Sequence, residues 1–225
     1  MSELLFEIGT EEMPAGYIQP ALDYFAKAAA KQLQELGLEF GDINTYGTPR
    51  RMTLTIQGLQ AQQEDQVKEH IGPAKQAGFD AEGNPTKAAM GFARSRGLEV
   101  DALQVVETPK GEYLMAREHL KGQKTSALLP DVLEKITLKM PFPKSMHWAD
   151  YQTTFGRPIQ WLLALLDDQP LAVTMESLAS GTTSRGHRFM APEDFTVATN
   201  KEYLRALKER HVIADMALRR QQVVE

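Results

Sequence analysis

Leu4-Leu5-Phe6-Glu7-Ile8-Gly9-Thr10-Glu11-Glu12-Met13-Pro14 decides how the chain begins to fold. Leu4, Phe6 and Ile8 alternate with Leu5 and Glu7, the period of a strand, and Gly9-Thr10 ends it. Pro14 suits a first helical turn, where its missing N–H costs nothing. Beyond it Ile18, Leu22, Phe25, Ala29, Leu33 and Leu36 recur at steps of three or four, which predicts a long helix with one buried stripe, closed by Gly37. Met52, Leu54 and Ile56 then alternate with Thr53, Thr55 and Gln57. That pattern predicts a half-buried strand with its threonines on the wetter face.

Further along, residues 60–83 are polar and glycine-containing, and 79–85 reads as an exposed turn. Thr86 is placed to cap a helix running to about Arg96 and ended by Gly97. Leu103, Val105 and the run from Tyr113 to Arg117 predict a hairpin around Pro109-Lys110-Gly111. A second amphipathic helix is expected over 125–139, broken by Pro141 and Pro143. Ile159 to Leu166 and Leu171 to Met175 flank Asp167-Asp168-Gln169-Pro170 as a central hairpin, and a final helical region covers about 201–210 and the tail. Strands and helices without a regular βαβ rhythm predict an α+β fold, a mixed and largely antiparallel sheet packed with amphipathic helices. Residues 60–145 are a candidate sublobe.

Composition narrows the function classes. The 225 residues are 42% hydrophobic, enough for a real core. Twenty-five Lys and Arg against 30 Asp and Glu give a formal net charge of −5, which excludes a broadly basic coat for nucleic acid and leaves room for a local basic face. There is no cysteine, hence no disulfide, iron–sulfur cluster or cysteine-ligated zinc. The acidic start, MSELLFEIGTEE, has no basic segment or cleavage site of a signal peptide, and the apolar run 161–166 is far too short to span a bilayer. The expected location is cytoplasmic, with no membrane partner. ALRRQQVVE ends without a stop signal, which fits a fragment of a longer protein at least as well as a natural end.

No self-contained active site is apparent. His70, His119, His147, His187 and His211 lie at no metal-ligand spacing, and no metal is expected. Glycine-rich phosphate loops and a Gly-x-Ser-x-Gly elbow are both lacking. Glu11 and Glu12 are adjacent and face different ways, a poor acid–base pair; they are better suited to charging the start of the next helix and orienting the loop. No residue is assigned a catalytic role. Three basic clusters remain: Thr48-Pro49-Arg50-Arg51; Lys144-Ser145-Met146-His147-Trp148 with Phe155-Gly156-Arg157-Pro158; and Ser180 to Met190, SGTTSRGHRFM, with Arg185, His187 and Arg188. Each sets cations beside Gly, Pro or hydroxyls, a combination that holds phosphate through side chains and free N–H groups. Trp148, His147 and Phe155 could stack on a base. The alternative for each cluster is structural, arginines bracing loops through carbonyls or a carboxylate.

Several stretches, taken in order, identify a family. Phe6 to Pro14, Thr48 to Arg51, Gly72-Pro73 with Phe79 to Gly91, Lys110 to Tyr113, Pro143 to Trp148, Phe155 to Trp161 and Arg185 to Phe189 together resemble the N-terminal part of the beta subunits of bacterial heterotetrameric glycyl-tRNA synthetases. The resemblance covers essentially the whole chain and makes residues 1–225 the N-terminal domain of a longer subunit. It implies a fold similar to the B3/B4 module of the phenylalanyl-tRNA synthetase beta subunit. It also implies an alpha2/beta2 enzyme whose alpha subunit binds ATP, magnesium and glycine and makes the adenylate, so no cofactor is expected in this chain. The beta subunit would help recognise tRNA-Gly, with its anticodon-binding region beyond residue 225. Editing does not carry over, because glycine has no smaller competitor. The chain departs from the family pattern at His147, usually arginine, and at Gly156, usually a larger apolar residue. A scaffold that holds the alpha subunit without touching RNA is the alternative function.

Overall fold

A computed structural model describes residues 1–80, 82–150 and 152–224. Ala81, within the expected turn at 79–85, and Glu225, the last residue of the tail, lie outside the described residues. In chain order the elements are strand β1 (Ser2–Thr10), helix α1 (Ala15–Glu35), β2 (Ile43–Thr48), β3 (Arg51–Leu59), β4 (Gln66–Ala74), α2 (Lys75–Gly78), α3 (Lys87–Ser95), β5 (Gln104–Thr108) and β6 (Gly111–Leu120). There follow α4 (Thr125–Leu138), β7 (Ile159–Leu166), β8 (Gln169–Pro170), β9 (Thr174–Met175), β10 (Leu178–Ala179), β11 (Thr183–Arg185), β12 (Asp194–Thr196), α5 (Tyr203–Glu209) and α6 (Met216–Val224). The expected mixed α+β, antiparallel architecture is present. No helix among the described residues is long and apolar enough to cross a membrane. The chain divides into two compact units, Met1–Gln63 with Gln123–Glu225, and Glu64–Gly122.

In the first unit a five-stranded sheet runs β2-β3-β1-β7-β8, every pairing antiparallel. On one face Leu4, Phe6, Ile8, Met52, Leu54, Ile56 and Leu162 pack beneath α1 and α4, which contribute Leu22, Phe25, Leu33, Leu129 and Leu133 among others. On the other, Leu5, Leu163 and Leu165 pack beneath Phe195, Val197, Tyr203, Leu207 and Val212. The central strands β1 and β7 are therefore buried on both sides, the setting that near-continuous apolar runs such as LLFEI and WLLALL describe. This second layer corrects one expectation: Thr53 is buried rather than wet, because α5 covers its face, and its hydroxyl lies 2.7 Å from Tyr203 OH. Gly9 faces the same layer. A Cβ there would lie 1.9 Å from Trp161 Cε2, so only glycine lets the indole rest on the strand.

Three further boundaries differ from expectation. Pro14 is the N-cap of α1 rather than a residue of its first turn; no side chain caps the helix and no acid lies in that turn, so Glu11 and Glu12 do not charge its start. The β7–β8 hairpin turns on Asp167 and Asp168, both at positive φ (51° and 61°), and its second strand is only two residues long. Residues 174–175 pair instead with 178–179.

The second unit is a three-stranded sheet, β4-β6-β5, with α2 and α3. Leu114 and Ala116 of β6 and Ala89 and Ala93 of α3 are buried. Thr86 caps α3 as expected, its Oγ1 accepting from Ala88 N at 3.2 Å. Strand β4 was not expected in the polar stretch 60–83. It is held by its ladder to β6 and by charge, with Glu69 opposite Arg117 and bonded to it at 2.9 Å, an arrangement without apolar alternation. The unit is also shorter than 60–145, because α4 packs on α1 in the first unit.

Candidate functional site

Glu7 is the one acid in the apolar run of β1, and its carboxylate is fully buried. Burial of a charge demands partners, and the second layer supplies them. Oε1 accepts from Trp161 Nε1 at 2.5 Å and from Ser184 Oγ at 2.7 Å. Oε2 accepts from Arg51 Nη1 at 3.3 Å and from the Tyr203 hydroxyl. Arg51, 2% exposed, also donates Nη2 to Arg185 O at 2.5 Å and Nη1 to Ser184 Oγ at 3.2 Å. One carboxylate thus ties β1, β3, β7, β11 and α5 together. Burial, and next the Glu7 charge, push the Tyr203 hydroxyl well above its ordinary pKa, so it stays a protonated donor.

This network places the loops that follow the strands. Thr10 N donates to Arg50 O (2.9 Å), Met13 N to Pro49 O (2.6 Å), Glu11 N to Pro158 O (3.0 Å) and Arg157 Nε to Glu12 O (3.2 Å). The stretch around Glu11-Glu12 is therefore clamped between the Thr48–Arg51 turn and the Gly156–Pro158 segment. Arg188 reaches over from the SGTTSRGHRFM loop to pair with the Glu12 carboxylate, and its guanidinium lies 4.6 Å from the Phe189 ring centroid. His187 Nδ1 accepts from Phe189 N and Met190 N at 3.3 and 3.2 Å, closing that turn. Gly186 is required there, since a Cβ would meet Ala191 O at 2.4 Å.

These pieces enclose a cleft of about 370 Å³, lined by Glu12, Arg50, Arg51, His187, Arg188, His211 and Arg219 among others. Arg219, from α6, is held by Gly47 O (2.9 Å) and Ile213 O (2.6 Å). Arg50 is half-buried, and among the described residues its guanidinium has no partner. The cleft offers arginines, two histidines and one carboxylate, a set that suits binding an anion.

The structure therefore gathers Arg50, Arg51, His187, Arg188 and Glu12, with Arg157 bonded at the edge. It does not bring Lys144, His147 or Trp148 to the cleft lining. Lys144 and His147 are exposed, and Trp148 is half-buried against the α1/α4 core. Arg185 braces the fold, pairing with Asp194 at 3.1 Å and lying 4.8 Å from the Trp161 centroid. Arg51 is interior, so as a candidate to grip a partner it is replaced by its neighbour Arg50. At Gly156 the Phe142 ring fills the space a side chain would take, 2.8 Å from an added Cβ. Sequence reasoning missed Glu7, Tyr203, His211 and Arg219. Only Glu7 carried a signal, an acid inside an otherwise apolar strand.

The family model described as glycyl-tRNA synthetase beta subunit matches residues 4–225. The chain belongs to that family. It is 43% identical over 224 residues to the glycine–tRNA ligase beta subunit of Syntrophus aciditrophicus and 44% identical over 223 residues to that of Myxococcus xanthus. The Geobacter metallireducens protein of the same name is 44% identical over 224 residues. These matches take in 99–100% of this chain and 32% of each relative, so the chain spans about a third of the length of the beta subunits it matches.

Proposed function

We propose that the chain serves the ATP-dependent attachment of glycine to tRNA-Gly by handling tRNA and helping to assemble an alpha2/beta2 enzyme in the cytoplasm. In this reading ATP, magnesium and the adenylate chemistry belong to the alpha subunit, and this region carries no catalytic residue. Residues 1–225 act as the N-terminal domain of the subunit, similar in fold to the B3/B4 module of the phenylalanyl-tRNA synthetase beta subunit. Family membership supports the setting. The observation that carries the RNA contact is Arg50, an unpartnered guanidinium lining a cleft shared by two arginine motifs far apart in sequence. A backbone phosphate seated there would take charge-assisted hydrogen bonds from Arg50 and from Arg188 once it leaves Glu12.

Fluorescence anisotropy with labelled tRNA-Gly across a salt series tests this. Arg50→Ala with Arg188→Ala should weaken binding and flatten the slope of log affinity against log salt by about two, roughly one per lost phosphate contact. An unchanged slope would remove the RNA contact. The second reading, a scaffold for the alpha subunit, is favoured by the internal bracing of Arg51, Arg157 and Arg185. It predicts capture of the alpha subunit with no tRNA affinity.

A further inference from the structure

Across the sheet from Glu7, helices α1 and α4 lie side by side and enclose a groove of about 420 Å³. Its walls carry Lys27 and Lys31 from α1, Lys135 from α4 and Lys139 from the C-cap of α4, opposite a single carboxylate, Glu35. All four lysines are exposed. Lys31 pairs loosely with Glu35 at 3.8 Å, whereas Lys27, Lys135 and Lys139 have no hydrogen bond or ion pair among the described residues. The Tyr24 hydroxyl at the groove is likewise without a partner among them.

The fold does not need this arrangement. Like charges four residues apart on a helix destabilise it slightly, and Lys27 and Lys31 of α1 are such a pair. Lys135 and Lys139 gain from the C-terminal end of the α4 dipole, but Lys27 and Lys31 sit mid-helix in α1, where no such gain exists. The Lys31–Glu35 pair also runs in the less favourable direction, lysine before glutamate. In a chain of net charge −5, four lysines gathered on one groove are a local reversal of sign.

We infer that the α1/α4 groove binds the sugar–phosphate backbone of RNA without reading its sequence. Residues four apart rise about 6 Å along a helix axis, so each wall offers a pair of point charges. With the Tyr24 hydroxyl as a further donor, they form the usual equipment for phosphate oxygens. An acidic protein fits less well: protein interfaces are depleted in lysine and built around apolar anchors, and the one large apolar side chain that α1 and α4 expose is Leu138, at 37%. The groove lies on the helical layer and the arginine cleft on the opposite layer, so either surface can fail without the other.

The test uses the whole chain and a short RNA duplex of generic sequence. Changing all four lysines to glutamine should lower affinity about tenfold or more at low salt and flatten the salt slope by about three to four, near 0.9 per neutralised phosphate. The same loss should appear whether or not Arg50→Ala and Arg188→Ala are present. On the unaltered chain, RNA should shield Lys27, Lys31, Lys135 and Lys139 from acetylation while leaving Lys87 and Lys110 reactive, a readout independent of how the variant folds. Equal acetylation with and without RNA, or an unchanged slope, overturns the inference. Loss of alpha-subunit capture with RNA affinity intact overturns it in favour of a protein occupant.

Discussion

Arg50 and Arg51 are neighbours in sequence with opposite fates. Arg51 begins β3 and points into the second layer, where Glu7 meets it at 3.3 Å with both side chains buried. Arg50 belongs to the turn before it, is only half-buried and lines the cleft. Arg51→Ala would leave the Glu7 carboxylate buried without its cation, and breaking such a pair costs about 3–5 kcal/mol. Arg50→Ala removes a half-buried side chain that has no partner among the described residues and should cost far less, about 1 kcal/mol or below. Urea midpoints at constant m-value check both; equal effects would mean that the two side chains are not so divided. Nothing local distinguishes the pair in sequence, because burial of Arg51 depends on Glu7, Ser184 and Trp161 arriving from other elements. Glu7 itself was legible only as an anomaly, an acid in LLFEIG whose partners sequence cannot name.

Helix α5 is fixed to the sheet through Tyr203, whose hydroxyl bonds Glu7 and Thr53 in the interior. Tyr203→Phe removes those bonds and should cost about 1–3 kcal/mol at neutral pH. The sign of the pH effect follows from the raised pKa. Unfolded tyrosine ionises at about pH 10, while the buried hydroxyl holds its proton beyond that. Stability from Tyr203 is therefore full below pH 10 and lost as pH rises above it. The gap in unfolding free energy between the wild type and Tyr203→Phe should shrink above about pH 10; a gap that stays constant there would contradict the assignment. Elements of this kind differ in how plainly sequence announces them. The stripes of α1 and α4 and the Thr86 cap of α3 are local patterns, and they were readable. Strand β4 was not, since its ladder rests on charged cross-strand pairs such as Glu69 with Arg117. The depth of β1 and Thr53 was hidden as well, because the layer that buries them comes from residues 195–214.

At the scale of the whole molecule, the first unit carries two cationic surfaces on opposite layers of one sheet, an arginine cleft at the loops and a lysine groove between helices. The grouping of Arg50 with His187 and Arg188 was partly legible, since all three stood out as basic motifs. That they meet, and that Lys144 and His147 do not join them, follows from the β3–β1–β7 order and from the Glu7 network. The central claim is that the cleft handles tRNA and leaves adenylate formation to the alpha subunit. Its most direct test is steady-state kinetics of the complete beta subunit, carrying Arg50→Ala and Arg188→Ala, assembled with the alpha subunit. Losing two phosphate contacts should raise KM for tRNA-Gly about tenfold or more, on the order of 1.4 kcal/mol per tenfold, while glycine-dependent ATP–pyrophosphate exchange stays unchanged. Unaltered charging, or exchange and charging falling together, would contradict it.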